Sequence, residues 1–240
     1  MKRFAWFAGI AAVLAMPSCF FFNDDEFCVN GQGDRVAEVI SLPDFTGIKL
    51  NMAADVYIKQ GPEQKVVVEA QQNIIDILNR NVRNGVWDIE FDRCAYDFSL
   101  VEVTITVPDL NLIRINASGD IKGIGPFDAN AMEIVISGSG DLQMDLSADP
   151  IDATISGSGD IQLAGQTPNL YVQVSGSGDF RGYDLEAKNA DMKISGSGNI
   201  YCLVTDDMKA NISGSGDIHY KGFPMIDVNI SGSGDLINEN

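Results

Sequence analysis

The chain has 240 residues, with 16 Lys+Arg against 34 Asp+Glu, a formal charge of −18 and 45% hydrophobic residues. That length accommodates one or two domains with a substantial core. So acidic a composition argues against nucleic acid as a partner, and against docking onto anionic lipid through a basic patch.

Lys2 and Arg3 open the chain, and Phe4 to Met16 is apolar but too short to span a bilayer as a mature helix. Met16-Pro17-Ser18-Cys19 follows. The segment resembles a bacterial lipoprotein signal, which implies a signal peptide over 1–18, cleavage before Cys19 and lipid on Cys19. Met16 and Pro17 depart from the commonest form of that motif, and the alternative is an ordinary secretory signal with a free Cys19. A lipidated Cys19 would hold the protein on the outer membrane without a spanning helix, exposed at the surface or facing the periplasm. Without Lys2 and Arg3 the 16 basic residues become 14 against 34 acidic ones, a charge of −20. Residues 19–33 read as an acidic tether: Phe20-Phe21-Phe22 leads into Asn23-Asp24-Asp25-Glu26, and two glycines follow with little pattern. The acidic run is similar to the surface-export signal of some Gram-negative lipoproteins; a solvated tether is the plainer alternative.

Residues 34–110 read as a mainly β lobe. Val36–Leu42, Gly47–Gln60, Lys65–Ala70, Val86–Asp92 and Leu100–Val107 alternate and are rich in β-branched residues. Asn73 to Asn84 is the one candidate helix, with an Asn cap, apolar Ile74, Ile77 and Leu78, and a stop at Asn84-Gly85. Leu50 to Val56 looks like a worn copy of the motif that dominates the rest.

That motif is Ile136-Ser-Gly-Ser-Gly-Asp141, and it returns from Ile155, Val174, Ile194, Ile212 and Ile230, with a degenerate copy from Ile115. Self-similarity at this spacing is the mark of a solenoid. Within a repeat, Ile151, Ala153, Ile155, Gly157, Gly159, Ile161 and Leu163 alternate with Asp152, Thr154, Ser156, Ser158, Asp160 and Gln162, which is the period of a strand with one buried face. The glycines fall on inward positions, where a bending wall nears the opposite one and excludes a Cβ. A coil of this length has a perimeter of roughly 60 Å, room for about three short strands. Residues 111–240 are therefore expected to be an all-β, right-handed parallel β-helix of about seven coils of 18–21 residues. On the same parity Cys202 faces the core. With Cys19 lipidated, Cys28 and Cys94 are then the candidate disulfide in an oxidising compartment.

Phe45-Thr46-Gly47-Ile48, the strand Ala54–Ile58 with Gln60-Gly61, the segment Asn73–Leu78 and the serial SGSGD corners together resemble the family called putative auto-transporter adhesin, head GIN domain. The resemblance spans about 34–240. It implies a secreted or lipid-anchored β-helical protein, and it brings no set of catalytic residues.

Stacking would align Asp120, Asp141, Asp160, Asp179, Asp217 and Asp235 in one row broken by Asn199, beside a row of serines from Ser137 to Ser231. Carboxylates ~5 Å apart repel by about 3 kcal/mol at an effective dielectric of 20. Solvation, backbone N–H donors or bound calcium would relieve that repulsion. Structural corners are the reading that fits best, with a weak calcium ladder as the alternative. No nucleophile elbow, phosphate loop or CxxC pair is present, and the sole histidine, His219, falls on an outward position. Two outward rows, Val135/Thr154/Gln173/Lys193/Asn211/Asn229 and Gln143/Gln162/Arg181/Tyr201/His219, offer flat arrays that could meet a glycan or an envelope protein. The expected function is a non-enzymatic binding or adhesion module of the envelope. The alternatives are a structural or sensory component that self-associates through a solenoid end, and a polysaccharide-active β-helix enzyme.

Overall fold

The computed structural model describes residues 28–240. The expected signal peptide, Cys19 and the beginning of the tether lie outside the described residues. Among the described residues no helix is long and apolar enough to cross a membrane.

The alternation in the sequence becomes a stack of parallel coils. Met132–Ile136 buries Met132, Ile134 and Ile136 and turns Glu133 outward, and Ile151–Ile155 repeats this directly above it. Seven coils run from Leu112 to Asn238, each holding a strand, an SGSGD-type corner, a second strand and a further bend. From Ile161 onward the chain stays paired through that further bend, so Ile161–Val174, Phe180–Ile194 and Ile200–Ile212 are single bent strands. Equivalent residues stack in columns. Ile115, Ile136, Ile155, Val174, Ile194, Ile212 and Ile230 form one, and Ile113, Ile134, Ala153, Val172, Met192, Ala210 and Val228 another. Except in the last coil these residues are buried, and each aliphatic side chain packs on its counterpart one coil away.

The stack continues into the amino-terminal region, though not in chain order. Gly47–Leu50 and Asp55–Gln60 pair in parallel with Leu112–Ile115 and with the start of Asp120–Asp128. Val86–Ile89 and Glu102–Val107 pair on their other side. The worn motif Leu50–Val56 thus turns a corner directly under the copy at Ile115: Asn116 N–H donates to Leu50 O at 2.9 Å and Asp120 N–H to Ala54 O at 3.0 Å. The sequence reading took 47–60 as one strand; the corner divides it in two. Beyond the 86–107 coil, Lys65–Gln71 pairs antiparallel with Glu102–Val107 and with Arg35–Ile40, and this layer covers that end of the core.

The helix expected over 73–84 shrinks to Gln72–Ile75. Tertiary pairing overrides propensity there. Asp92 N–H donates to Ile77 O, Asn79 N–H donates to Glu90 O, and the buried Trp87 indole donates to Asn79 O at 2.9 Å, so after a turn at Asp76–Ile77 the chain bridges to Phe91 at Leu78 instead of continuing the helix. Cys28 and Cys94 form a disulfide beside the paired Val29–Asn30 and Ala95–Tyr96, and Cys202 is free and buried.

The glycines of the corners are required for a reason different from the one the sequence suggested. A Cβ on Gly157 would lie 1.9 Å from Gly138 O, and one on Gly159 would lie 2.0 Å from Gly140 O. The obstacle is the equivalent carbonyl of the adjacent coil rather than the opposite wall. Each coil therefore rests its glycine backbone on the glycine backbone of its neighbour.

Candidate functional site

The corners align the predicted aspartates as a ladder. Asp141 N–H donates to Asp120 Oδ1 at 2.9 Å, Asp160 N–H to Asp141 Oδ1 at 2.8 Å, and Asp179 N–H to Asp160 Oδ1 at 2.7 Å. Asn199 continues it, accepting from Asp217 N–H at 2.9 Å while its own N–H donates to Asp179 Oδ1, and Asp235 N–H closes on Asp217 Oδ1. Each side chain thus supplies an acceptor to the main-chain donor at the same position of the next coil. Asn199 serves as well as aspartate, so the position needs an oxygen and not a charge. Arg181 adds a cation beside the row, with Nη1 2.7 Å from Asp160 and Nη2 3.2 Å from Asp179. Among the described residues no group of three or more His, Cys, Asp or Glu is arranged to hold a metal ion.

One expected surface row, Gln143, Gln162, Arg181, Tyr201 and His219, is in register, preceded by Lys122. Its aromatic end is occupied by its own neighbours. Tyr201 and His219 stack at 4.8 Å, Tyr183 meets Tyr201 edge-on at 5.6 Å, and Lys221 Nζ sits 4.3 Å over the Tyr183 ring. His219 Nδ1 lies 3.1 Å from Glu239, and its side chain is only 18% exposed. Burial pushes the Tyr183 hydroxyl up to about 12, with Glu239 adding to it. The rings pack on one another along the stack, so this cluster clamps adjacent coils more than it offers open ring faces.

The other wall is more open. Val135, Thr154, Gln173, Lys193, Asn211 and Asn229 are in register as expected. Beside them runs a row that sequence reasoning passed over: Glu133, Asp152, Tyr171, Asp191, Lys209 and Asp227. Tyr171 is its lone aromatic and is 45% exposed. Hollows of ≈ 350 Å³ and ≈ 240 Å³ flank it and share Tyr171 and Asp191 as walls.

The larger hollow is a groove along the stack. Its floor is the apolar column Leu170, Ala190 and Met208, which are buried, followed by Ile226, which is 40% exposed. One rim is an amide chain, in which Asn189 Nδ2 donates to Asn169 Oδ1 at 3.2 Å and Asn169 Nδ2 to Asp149 Oδ1 at 2.8 Å, with Asp207 and the exposed Met225 beyond. The other rim is Tyr171, Asp191, Lys209 and Asp227. Asp191 Oδ1 is buried and accepts no hydrogen bond, with Lys193 Nζ 3.9 Å away. In the smaller hollow, burial raises the Asp152 carboxyl above the ordinary aspartate range; Glu133 adds to the effect and Lys193 opposes it. The signal available in the sequence was Tyr171 itself, an aromatic at an outward position among charged residues.

Coils, corner ladder and polar walls together define a parallel β-solenoid that presents ordered side-chain rows. The chain belongs to the family described as putative auto-transporter adhesin, head GIN domain, whose model matches residues 44–224. No curated protein matches it. Among solved structures it is similar to a putative adhesin from Bacteroides fragilis NCTC 9343 at 22% identity and TM-score 0.83, covering 88% of this chain and 100% of that one. It is also similar to a putative lipid binding protein from Parabacteroides distasonis ATCC 8503 at 24% identity and TM-score 0.75, covering 89% and 100%. A putative adhesin from the same organism aligns at 25% identity and TM-score 0.75, covering 88% and 100%.

Proposed function

We propose that the protein is a cell-envelope lipoprotein that works as a non-enzymatic binding or adhesion module. Lipid on Cys19 anchors it to the outer membrane, and the tether is shorter than the 19–33 read from the sequence: the Cys28–Cys94 disulfide and the pairing of Val29–Asn30 fasten 28–33 to the lobe, leaving 19–27 to link it to the bilayer. The observation that carries this function is the open wall on which Tyr171 stands between two hollows, with polar residues repeated at coil spacing on either side. A flat, rigid array of this kind suits multipoint recognition of a surface polymer or protein. Family membership and resemblance to proteins called adhesins support binding over catalysis. Two measurements test the proposal. Palmitate labelling should be lost in Cys19→Ala, and cells displaying the protein should adhere to mucin- or glycan-coated surfaces more than deletion cells do. Unlabelled wild-type protein would refute the anchor, and equal adherence would refute the binding function.

A second function, self-association, is favoured by one specific observation. Ile226, Val228 and Ile230 occupy core columns yet are 40%, 45% and 43% exposed, on a strand paired along one edge only. Such an edge accepts another strand. A sedimentation coefficient independent of concentration would eliminate this alternative.

A further inference from the structure

We infer that the groove beside Tyr171 binds an extended, uncharged oligosaccharide; this rests on the binding function proposed above and gives it a site. The groove crosses four coils, from Asn169–Tyr171 to Met225–Asp227, a run of about 15 Å at ~4.8 Å per coil. Its shape calls for a linear ligand.

The lining narrows the chemistry further. A peptide adding as a strand needs free main-chain donors and acceptors. The floor strands at Leu170, Ala190 and Met208 are hydrogen-bonded to neighbours on both sides and offer none; the free edge of Met225–Ile230 runs across the groove's end, so a strand added there would not lie along the groove. An acyl chain needs an apolar slot that admits it. Here the floor is shut over three coils, with Leu170, Ala190 and Met208 at 1%, 7% and 2% exposure, and the rims along them are polar; exposed apolar side chains occur only at the last-coil end, at Met225 and Ile226, too short a stretch to sheathe an acyl chain. An acidic polymer would meet Asp191, Asp207 and Asp227, and a basic one would meet Lys209 in the middle of the rim and Lys193 in the adjoining hollow.

A neutral sugar chain satisfies all of these surfaces together. Its C–H faces pack on the exposed Tyr171 ring and on Met225 and Ile226 at the far end. Its hydroxyls both donate and accept, which matches carboxylate oxygens at Asp191 and Asp207, amides at Asn169 and Asn189, and the Lys209 ammonium. The smaller hollow, with Thr154, Gln173 and Lys193, extends the same wall past Tyr171 for further sugar units.

The test is isothermal titration of the full chain, in micelles of a detergent without a sugar headgroup, with cellohexaose, chitohexaose and hexagalacturonate. At least one neutral hexasaccharide should bind saturably and better than the acidic one. Tyr171→Ala and Asn189→Ala should each weaken that binding tenfold or more while leaving the melting temperature unchanged. No saturable heat with either neutral sugar, preference for hexagalacturonate, or unchanged affinity in Tyr171→Ala would overturn the inference. The surface-adhesion assay separates the two levels. Adhesion that survives Tyr171→Ala removes the groove and keeps the binding function, whereas wild-type protein that adheres to nothing removes both.

Discussion

Asp141 gives the sharpest test of what the repeated corner does. Its Oδ1 accepts the Asp160 N–H at 2.8 Å, and its own N–H donates to Asp120 Oδ1 at 2.9 Å. Asp141→Ala removes the acceptor and leaves the Asp160 donor without its partner, which should destabilise the fold by about 2 kcal/mol. Asp141→Asn keeps an oxygen in place, as Asn199 does naturally in its own coil. It also removes one charge from between Asp120 and Asp160, a repulsion of about 3 kcal/mol per neighbour at an effective dielectric of 20 before solvent and salt reduce it. The asparagine variant should therefore be as stable as the wild type or slightly more so, and should lose part of the salt dependence of melting. Urea denaturation of the three proteins at low and high salt measures this. Equal destabilisation by alanine and asparagine would refute the acceptor ladder and make the charge itself the requirement. Running the melts with calcium or chelator adds a second arm. A saturable rise with calcium in the wild type, absent in Asp141→Asn, would make the row a cation site as well.

Two further outcomes follow from the stack. Gly159→Ala places a Cβ 2.0 Å from Gly140 O, so adjacent coils must separate at that corner. Overpacking plus weakening of the Ser158 N–H to Gly138 O bond should cost about 3 kcal/mol in urea denaturation, against less than ~0.5 for the exposed Ser158→Ala, and near-equal losses would contradict the coil-on-coil contact. Burial pushes the Cys202 thiol from 9.0 up to about 12. Because the folded pKa is the higher one, that contribution to stability is fully present below pH 9 and is lost as pH rises toward 12. Cys202→Ala should flatten the fall in stability over that window, and the native thiol should resist a thiol reagent at pH 8 until denaturant is added. Rapid native labelling would mean that the column around Cys202 opens.

How much of this was legible in the sequence depends on whether the signal was local and repeated. The alternation around each SGSGD copy specifies which residues face inward, so the columns through Ile136 and Ile134 could be read directly, and Cys202 with them. The amino-terminal region was harder because its partners are distant in the chain. Nothing near Gly47 indicates that Leu112 will lie beside it, or that 86–107 will pass to its far side, since those pairings depend on which apolar edges remain uncovered once the coils form. The same distinction separates the two walls. The row ending at His219 carries several aromatic and charged residues and attracts notice, yet its groups are largely consumed by stacking and ion pairing with one another. The row through Tyr171 has one aromatic and no repeated motif. Its groove has small Ala190 in the floor between Leu170 and Met208 and longer side chains on either rim, a property of four coils side by side rather than of any one of them. Repetition makes the scaffold readable, and the places where the repeat varies, invisible as a motif, are where a solenoid acquires a surface that can tell one ligand from another.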